Sequence, residues 1–187
     1  MKKKNRPKSR PFFRGLAAPI VGFLLVAGGI AWFFESQSTT TLIIVRHAEK
    51  AEQPADDPGL STQGKLRAQR LADMLADVDV VAGLDAIYAS PFRRTQETAR
   101  PLANRLELPI SVWAVDDFKG LEDKILDDHR GDIVLIVGHS NTVPRIIAEF
   151  GGSKRVSDIP EYQHNDLFVV SIPWFGRTKT LRLDYGD

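Results

Sequence analysis

Thr41-Leu42-Ile43-Ile44-Val45-Arg46-His47-Ala48-Glu49-Lys50 is the stretch on which the reading of this chain turns. Its β-branched and apolar start predicts a short buried strand over 41–45. The chain then turns polar at once and sets an arginine beside a histidine at the strand's carboxyl end, where open α/β sheets bind their ligands. A guanidinium can hold an anion by paired hydrogen bonds, and a neutral imidazole beside it can act as a nucleophile. Taken alone, the pair is also what a solvated strand end looks like.

Working outward, the segments that follow alternate in the same way. The loop 46–59 contains two prolines and four acids. Ser61 or Thr62 can then cap a helix running to Leu75, with Leu66, Leu71, Met74 and Leu75 as its apolar stripe. Residues 84–89 predict a second strand. Ser90 is expected as the N-cap of the next helix and Pro91 as its first residue. Arg93 and Arg94 diverge by about 100° on that helix, so only one reaches a ligand at its start. Residues 108–113 predict a third strand, 116–130 a charged helix, and 132–137 the most apolar and hence central strand. That strand leads into Gly138-His139-Ser140-Asn141 and a helix to about Phe150. Residues 166–172 and 178–183 form a closing hairpin. The expectation is a three-layer α/β/α domain over 41–187 with a mostly parallel sheet.

The chain ahead of this domain is different in kind. Residues 1–34 carry seven Lys or Arg and no acid, whereas 35–187 carry eighteen against 24 acids. Residues 15–34 are twenty positions without a charge, enough to span a bilayer as one helix. Trp32, Phe33 and Phe34 fall where an interfacial aromatic belt would sit. The reading is a basic cytoplasmic head (1–14), a transmembrane signal-anchor (15–34), a short linker (35–40) and a domain on the exported side, periplasmic in a bacterium. Gly29-Ile30-Ala31 would serve as a cleavage site, but the apolar run is long for a signal peptide, which favours an uncleaved anchor. An acidic body argues against nucleic acid as partner. The chain has no cysteine, so no thiol nucleophile and no disulfide.

Three strand ends thus deliver Arg46-His47, Arg94 and His139. At these positions the chain resembles the histidine phosphatase superfamily, with its phosphoglycerate-mutase-like fold. Arg46-His47-Ala48-Glu49 resembles that family's Arg-His-Gly-Glu signature, and Leu60-Ser-Thr-Gln-Gly64 its Leu-Thr-x-x-Gly helix start. Ser90-Pro-Phe-Arg-Arg94-Thr resembles its Ser-x-Leu-x-Arg segment, which selects Arg94 over Arg93. Gly138-His139-Ser140-Asn141 resembles its second-histidine strand.

The resemblance implies a phosphomonoesterase in which His47 is phosphorylated and then hydrolysed. Arg46, Arg94 and His139 would hold the phosphoryl oxygens, with Asn141 and Lys50 as further substrate contacts. It implies no cofactor and no metal. Ala48 replaces the usual glycine, and no mutase-type acidic segment stands out, so the proton donor stays open among Glu49, Asp117 and Asp166. His164 and His129 are read as loop and solvated histidines. The substrate expected is a phosphorylated small molecule or envelope glycolipid; a phosphohistidine protein is the alternative. Two other readings are a tethered, non-catalytic phosphate-binding protein and an α/β-hydrolase with Ser140 as nucleophile. The hydrolase lacks the second glycine of its motif, since Thr142 stands there, and leaves Arg46, His47 and Arg94 unexplained.

Overall fold

The computed structural model describes residues 13–35, 39–76 and 83–185, in two compact units divided after Gln37. Most of the basic head expected over 1–14 and most of the linker expected over 35–40 lie outside the described residues. The first unit holds one helix, α1 (Phe13–Glu35), which accommodates Pro19 near its start. Its side chains are described over 18–33, where Phe23, Leu25 and Trp32 are all exposed. Among the described residues no helix is long and apolar enough to cross a membrane.

The second unit is an α/β domain built on one mixed sheet of six strands, in the order β3-β2-β4-β1-β5-β6. In chain order its elements are β1 (Thr40–Arg46), α2 (Thr62–Leu75), β2 (Ala86–Ala89), α3 (Arg93–Leu106), β3 (Ile110–Val112), α4 (Phe118–Asp128), β4 (Ile133–Gly138), α5 (Thr142–Glu149), β5 (Asp166–Ile172) and β6 (Lys179–Asp184). The first four strands are parallel to one another, and β5 and β6 form the antiparallel hairpin at one edge. β1 and β4 lie side by side inside the sheet, in register from Thr41↔Ile133 to Arg46↔Gly138. Both are apolar on both faces because both faces are covered. Leu42, Ile44, Val134 and Ile136 meet α4 and α5 through Phe118, Ile125, Val143 and Ile146. Ile43, Val45, Leu135 and Val137 meet α2 and α3 through Leu71, Leu75, Ala99 and Leu102.

Local chemistry sets the helix starts. Ser61 caps α2, its hydroxyl accepting from the Gly64 N–H at 3.1 Å. Gly64 is required by a close approach: a Cβ there would overlap the Glu49 carbonyl, so glycine lets α2 press on the loop that follows β1. Two sequence expectations need correction. Leu66 and Met74 are exposed, and the buried face of α2 is Gly64, Ala68, Leu71, Ala72 and Leu75. Gly64 rests on the Glu49 backbone, Ala68 packs with Ala48 and Leu60, and Leu71, Ala72 and Leu75 pack with Ala99 and Leu102 of α3. Ser90 is not the cap of α3, which begins at Arg93 behind Phe92 with no side-chain cap; the Ser90 hydroxyl is engaged elsewhere, as described next.

Candidate active site

The parallel strands β1, β2 and β4 end on the same side, and their carboxyl ends surround a cavity of about 370 Å³. Arg46, His47, Lys50, Arg94, His139 and Asn141 all line it, so residues up to 95 positions apart in sequence share one wall. Arg93, the rejected neighbour of Arg94, instead pairs with Glu97 at 3.1 Å. Ser140, Asn141 and Thr142 bring the amino-terminal end of α5 to the cavity, an electropositive edge that suits an anion.

His47 is buried, and its Nδ1 lies 2.8 Å from the Ala48 carbonyl. A carbonyl only accepts, so Nδ1 carries the hydrogen and Nε2 keeps its lone pair. Burial pushes the His47 pKa down to about 3; the Ala48 hydrogen bond works against this, while His139, Arg46 and Arg94 add to it. The ring is therefore neutral at ordinary pH. Ala48 takes the glycine position of the resembling signature without strain: it is fully buried, and its N–H donates to Thr98 Oγ1 at 3.0 Å.

The orientation of His139 follows from a short chain of hydroxyls. Thr95 Oγ1 lies 2.7 Å from the Phe92 carbonyl and 3.0 Å from that of Ser90, both pure acceptors, so its single hydrogen goes there. Thr95 Oγ1 must then accept from the Ser90 hydroxyl at 2.8 Å. Ser90 Oγ in turn accepts from His139 Nε2–H at 2.8 Å, leaving Nδ1 as the free ring nitrogen. Burial lowers the His139 pKa to about 4, with Arg94 and Arg46 contributing.

Arg46 is 2% exposed, and the loop before β5 holds it. Its Nη1 donates to the carbonyls of Pro160, Glu161 and Gln163 at 2.6, 3.1 and 3.1 Å, and Nη2 to the Glu161 carboxylate at 2.9 Å. Its Nε is buried without a partner, a donor left over for a bound anion. Arg94 stacks over Phe92 at 4.5 Å and has Asp57 at 3.8 Å.

The three carboxylates considered as proton donors are placed elsewhere. Glu49 is clamped by Arg67, at 2.8 Å from Nη2 and 2.9 Å from Nε. Burial raises its pKa, but the Arg67 hydrogen bond, a backbone hydrogen bond and the charges of Arg67 and His164 together hold it below the ordinary range. Asp117 caps α4 through the Gly120 N–H, and Asp166 is tied to Arg182 at 2.7 Å. The carboxylate that does line the cavity is Glu161, also 3.2 Å from Lys50. Nothing in its spacing marks it; the loop before β5 returns it to a site 115 residues away in sequence.

His164 is not a bland loop residue: it is buried, with Nδ1 2.9 Å from the His47 carbonyl and its ring 5.8 Å from that of His47. His129 is partly buried rather than solvated, 3.1 Å from Asp132. The Ser140 hydroxyl is bonded to no histidine among the described residues, and His139 beside it gives its Nε2 to Ser90. A slightly larger cavity of about 420 Å³ lies across the 153–163 loop, with Arg182–Asp166 in its wall and no histidine.

Residues 42–115, which carry Arg46, His47 and Arg94, match the family model described as the Histidine phosphatase superfamily (branch 1). Among curated relatives, an uncharacterized protein of Mycobacterium tuberculosis is 41% identical over 80 residues, covering 39% of this chain and 37% of that protein. Phosphoserine phosphatase 1 of Hydrogenobacter thermophilus is 40% identical over 96 residues, covering 48% and 39%. The chain's match thus spans well under half the length of these relatives. Among solved structures, the protein histidine phosphatase SixA complexed with tungstate shares the fold, with a TM-score of 0.60 at 18% identity over 77% of this chain and 96% of that one.

Proposed function

We propose that this protein is a metal-independent phosphomonoesterase working through a phosphohistidine on His47. The observation that carries the reading is the fixed tautomer of His47: Nδ1–H is bound to the Ala48 carbonyl, so Nε2 is a bare, neutral nucleophile among cations. In the first step Nε2 forms a bond to phosphorus while the phosphorus–oxygen bond to the leaving group breaks, and the leaving oxygen keeps the electron pair. Water then attacks phosphorus, releasing phosphate and neutral His47. Arg46 Nε, Arg94 and the α5 end hold the non-bridging oxygens, where positioning and charge stabilisation supply most of the rate. His139 Nδ1, with its lone pair bare, can accept a hydrogen bond from a substrate phosphate arriving as its monoanion.

A second reading concerns the leaving group. Glu161 is the cavity's carboxylate, and it is an ion-pair partner: Lys50 first, with Arg46 adding to it, holds its pKa below the ordinary value against the opposing effect of burial. Ionised at neutral pH, it donates no proton. Such a site favours leaving groups that depart unprotonated, which supports phosphohistidine on a protein over an alkyl phosphate as substrate.

The anchor belongs to the same proposal. The support is in the sequence: twenty charge-free residues, 15–34, follow a basic head, the pattern of a single-pass anchor with the catalytic domain on the exported side, although no described helix is by itself long and apolar enough to cross a membrane. The test is hydrolysis of an aryl phosphate in EDTA by the full chain and by His47→Ala, with vanadate as inhibitor. Activity that survives EDTA, is blocked by vanadate and is lost in the variant is expected; activity retained by His47→Ala removes the proposed nucleophile. A series of aryl phosphates should show rates falling steeply as the leaving-group pKa rises, and a flat series would mean a proton donor is at work.

A further inference from the structure

The catalytic cavity lies at one end of the sheet, and an unusual surface lies at the other. β1 runs from Thr40, paired with Ile172, to Val45, paired with Leu167, so the turn joining β5 to β6 sits at the β1 start, away from Arg46 and His47. At that turn Trp174 is 52% exposed and Phe175 85% exposed, with Arg177 and Lys179 exposed beside them. Leu181, midway along β6, continues the apolar surface, whereas Arg182 and Leu183 lie toward the catalytic end, where Arg182 pairs with Asp166. Between Ile172 and Thr180 the charged residues are Arg177 and Lys179, with no acid, in a domain that is otherwise acidic. Thr39, where the chain enters the domain, lines the same shallow depression as Pro173, Phe175, Arg177 and Lys179.

We infer that the Pro173–Lys179 turn is a membrane-docking tip, with Trp174 and Phe175 seated in the bilayer interface and Arg177 and Lys179 on anionic headgroups. The orientation rests on the anchored-phosphatase reading. An amphipathic aromatic ring is favoured at the interface, and basic residues near the surface add attraction to anionic lipid. The tip adjoins the point where the chain enters the domain, since Thr39 lines the same depression, and residues 36–39 are all that separate Glu35 from Thr40 in the sequence. Seven residues of β1 at about 3.3 Å each separate the tip from the catalytic end. Docked this way, the cavity opens roughly 20 Å from the tip and faces water. The substrate class that follows is a soluble phosphate ester or phosphoprotein, and headgroups of the protein's own bilayer are out of reach.

The chain has no cysteine, so single-cysteine variants Leu25→Cys, Asp57→Cys and Phe175→Cys can each be spin-labelled in the full protein. In vesicles of phosphatidylcholine and phosphatidylglycerol, the oxygen-to-nickel-chelate accessibility ratio reports lipid or water. The ratio should be severalfold higher at 175 than at 57, and Arg177→Glu with Lys179→Glu should return the 175 label to the value at 57. A ratio at 175 equal to that at 57 while 25 reads as lipid overturns the docking tip and keeps the anchor. Lipid at 175 with water at 25 keeps the tip and removes the anchor, and water at both removes both. A 175 label immobilised yet in water, dependent on protein concentration, would mean that the tip meets a second copy, which also overturns the proposal. Melting temperatures of the labelled proteins separate misfolding from exposure.

Discussion

Ser90 shows how much a single hydroxyl does in this site. It is fully buried, and through Thr95 its hydrogen is committed away from His139, so the histidine must donate Nε2–H to it. Its role is to position His139; nothing places it against the substrate. Ser90→Ala removes about one net hydrogen bond, near 1.4 kcal/mol, and should lower kcat by roughly tenfold. The change should fall on kcat more than KM if the set orientation of His139 matters in the transition state, as the proposed mechanism requires. Steady-state kinetics of the variant, with circular dichroism to verify the fold, checks this; an equal loss in kcat from Asn141→Ala would deny Ser90 any special place. The residue type at position 90 was visible beforehand, but its partner was not. A serine ahead of Pro91 reads as a helix cap by local rules, and only the arrival of β4 beside β2 offers it a histidine.

At the scale of the element, β1 and α2 form the unit that presents His47, the proposed nucleophile. Ser61 starts the helix, and Gly64 lets it rest on the backbone of Glu49, two residues past His47. The two residues separate stability from function. Ser61→Ala should cost about 1 kcal/mol and lower Tm by roughly 2–4 °C while leaving kcat near the parent value at 25 °C. Gly64→Ala should lower both Tm and kcat, because the added carbon pushes the Glu49 loop and with it His47. Thermal melts and kinetics on the two variants, measured side by side, test this; unchanged activity in Gly64→Ala would mean the loop relaxes without moving the histidine. The α2 stripe is the element whose sequence reading failed in part. Leucine and methionine at helical spacing suggested one greasy face; Leu71 and Leu75 are on it, but Leu66 and Met74 are not, and Gly64, Ala68 and Ala72 complete it where the Ala48–Glu49 backbone and α3 come close. Hydrophobicity alone does not report how near the neighbouring helix comes.

For the whole molecule, the site leaves a mark on acid stability. His47 and His139 are depressed from 6.5 to about 3 and about 4, so below pH 6.5 the unfolded chain takes up protons that the folded one refuses. Stability contributed by these neutral rings is complete above pH 6.5 and is lost as pH falls toward those values. Between pH 6.5 and 5 each buried ring should cost about 2 kcal/mol. Lowered carboxylates such as Glu49 and Glu161 join only below their ordinary 4.5. Urea midpoints at pH 7.5 and 5 should therefore differ clearly, and His139→Gln should remove roughly half the difference; equal slopes in parent and variant would show that the ring is not held neutral.

The chain's own order of residues determined the alternation of strands and helices, the charge-free run at 15–34 and the four residues Arg46, His47, Arg94 and His139. Each of these is written in local signals: hydrophobic period, charge and short motifs at strand ends. Tertiary structure decided the rest. It withdrew Glu49, Asp117 and Asp166 from the cavity by giving them arginine or backbone partners, and brought in Glu161 from a loop with no motif. It made His164 a support of His47 and turned the β5–β6 turn to the end opposite the site. The reason is physical: a titratable side chain takes its role from whichever charge, carbonyl or water it meets, and those partners lie tens of residues away until the sheet closes.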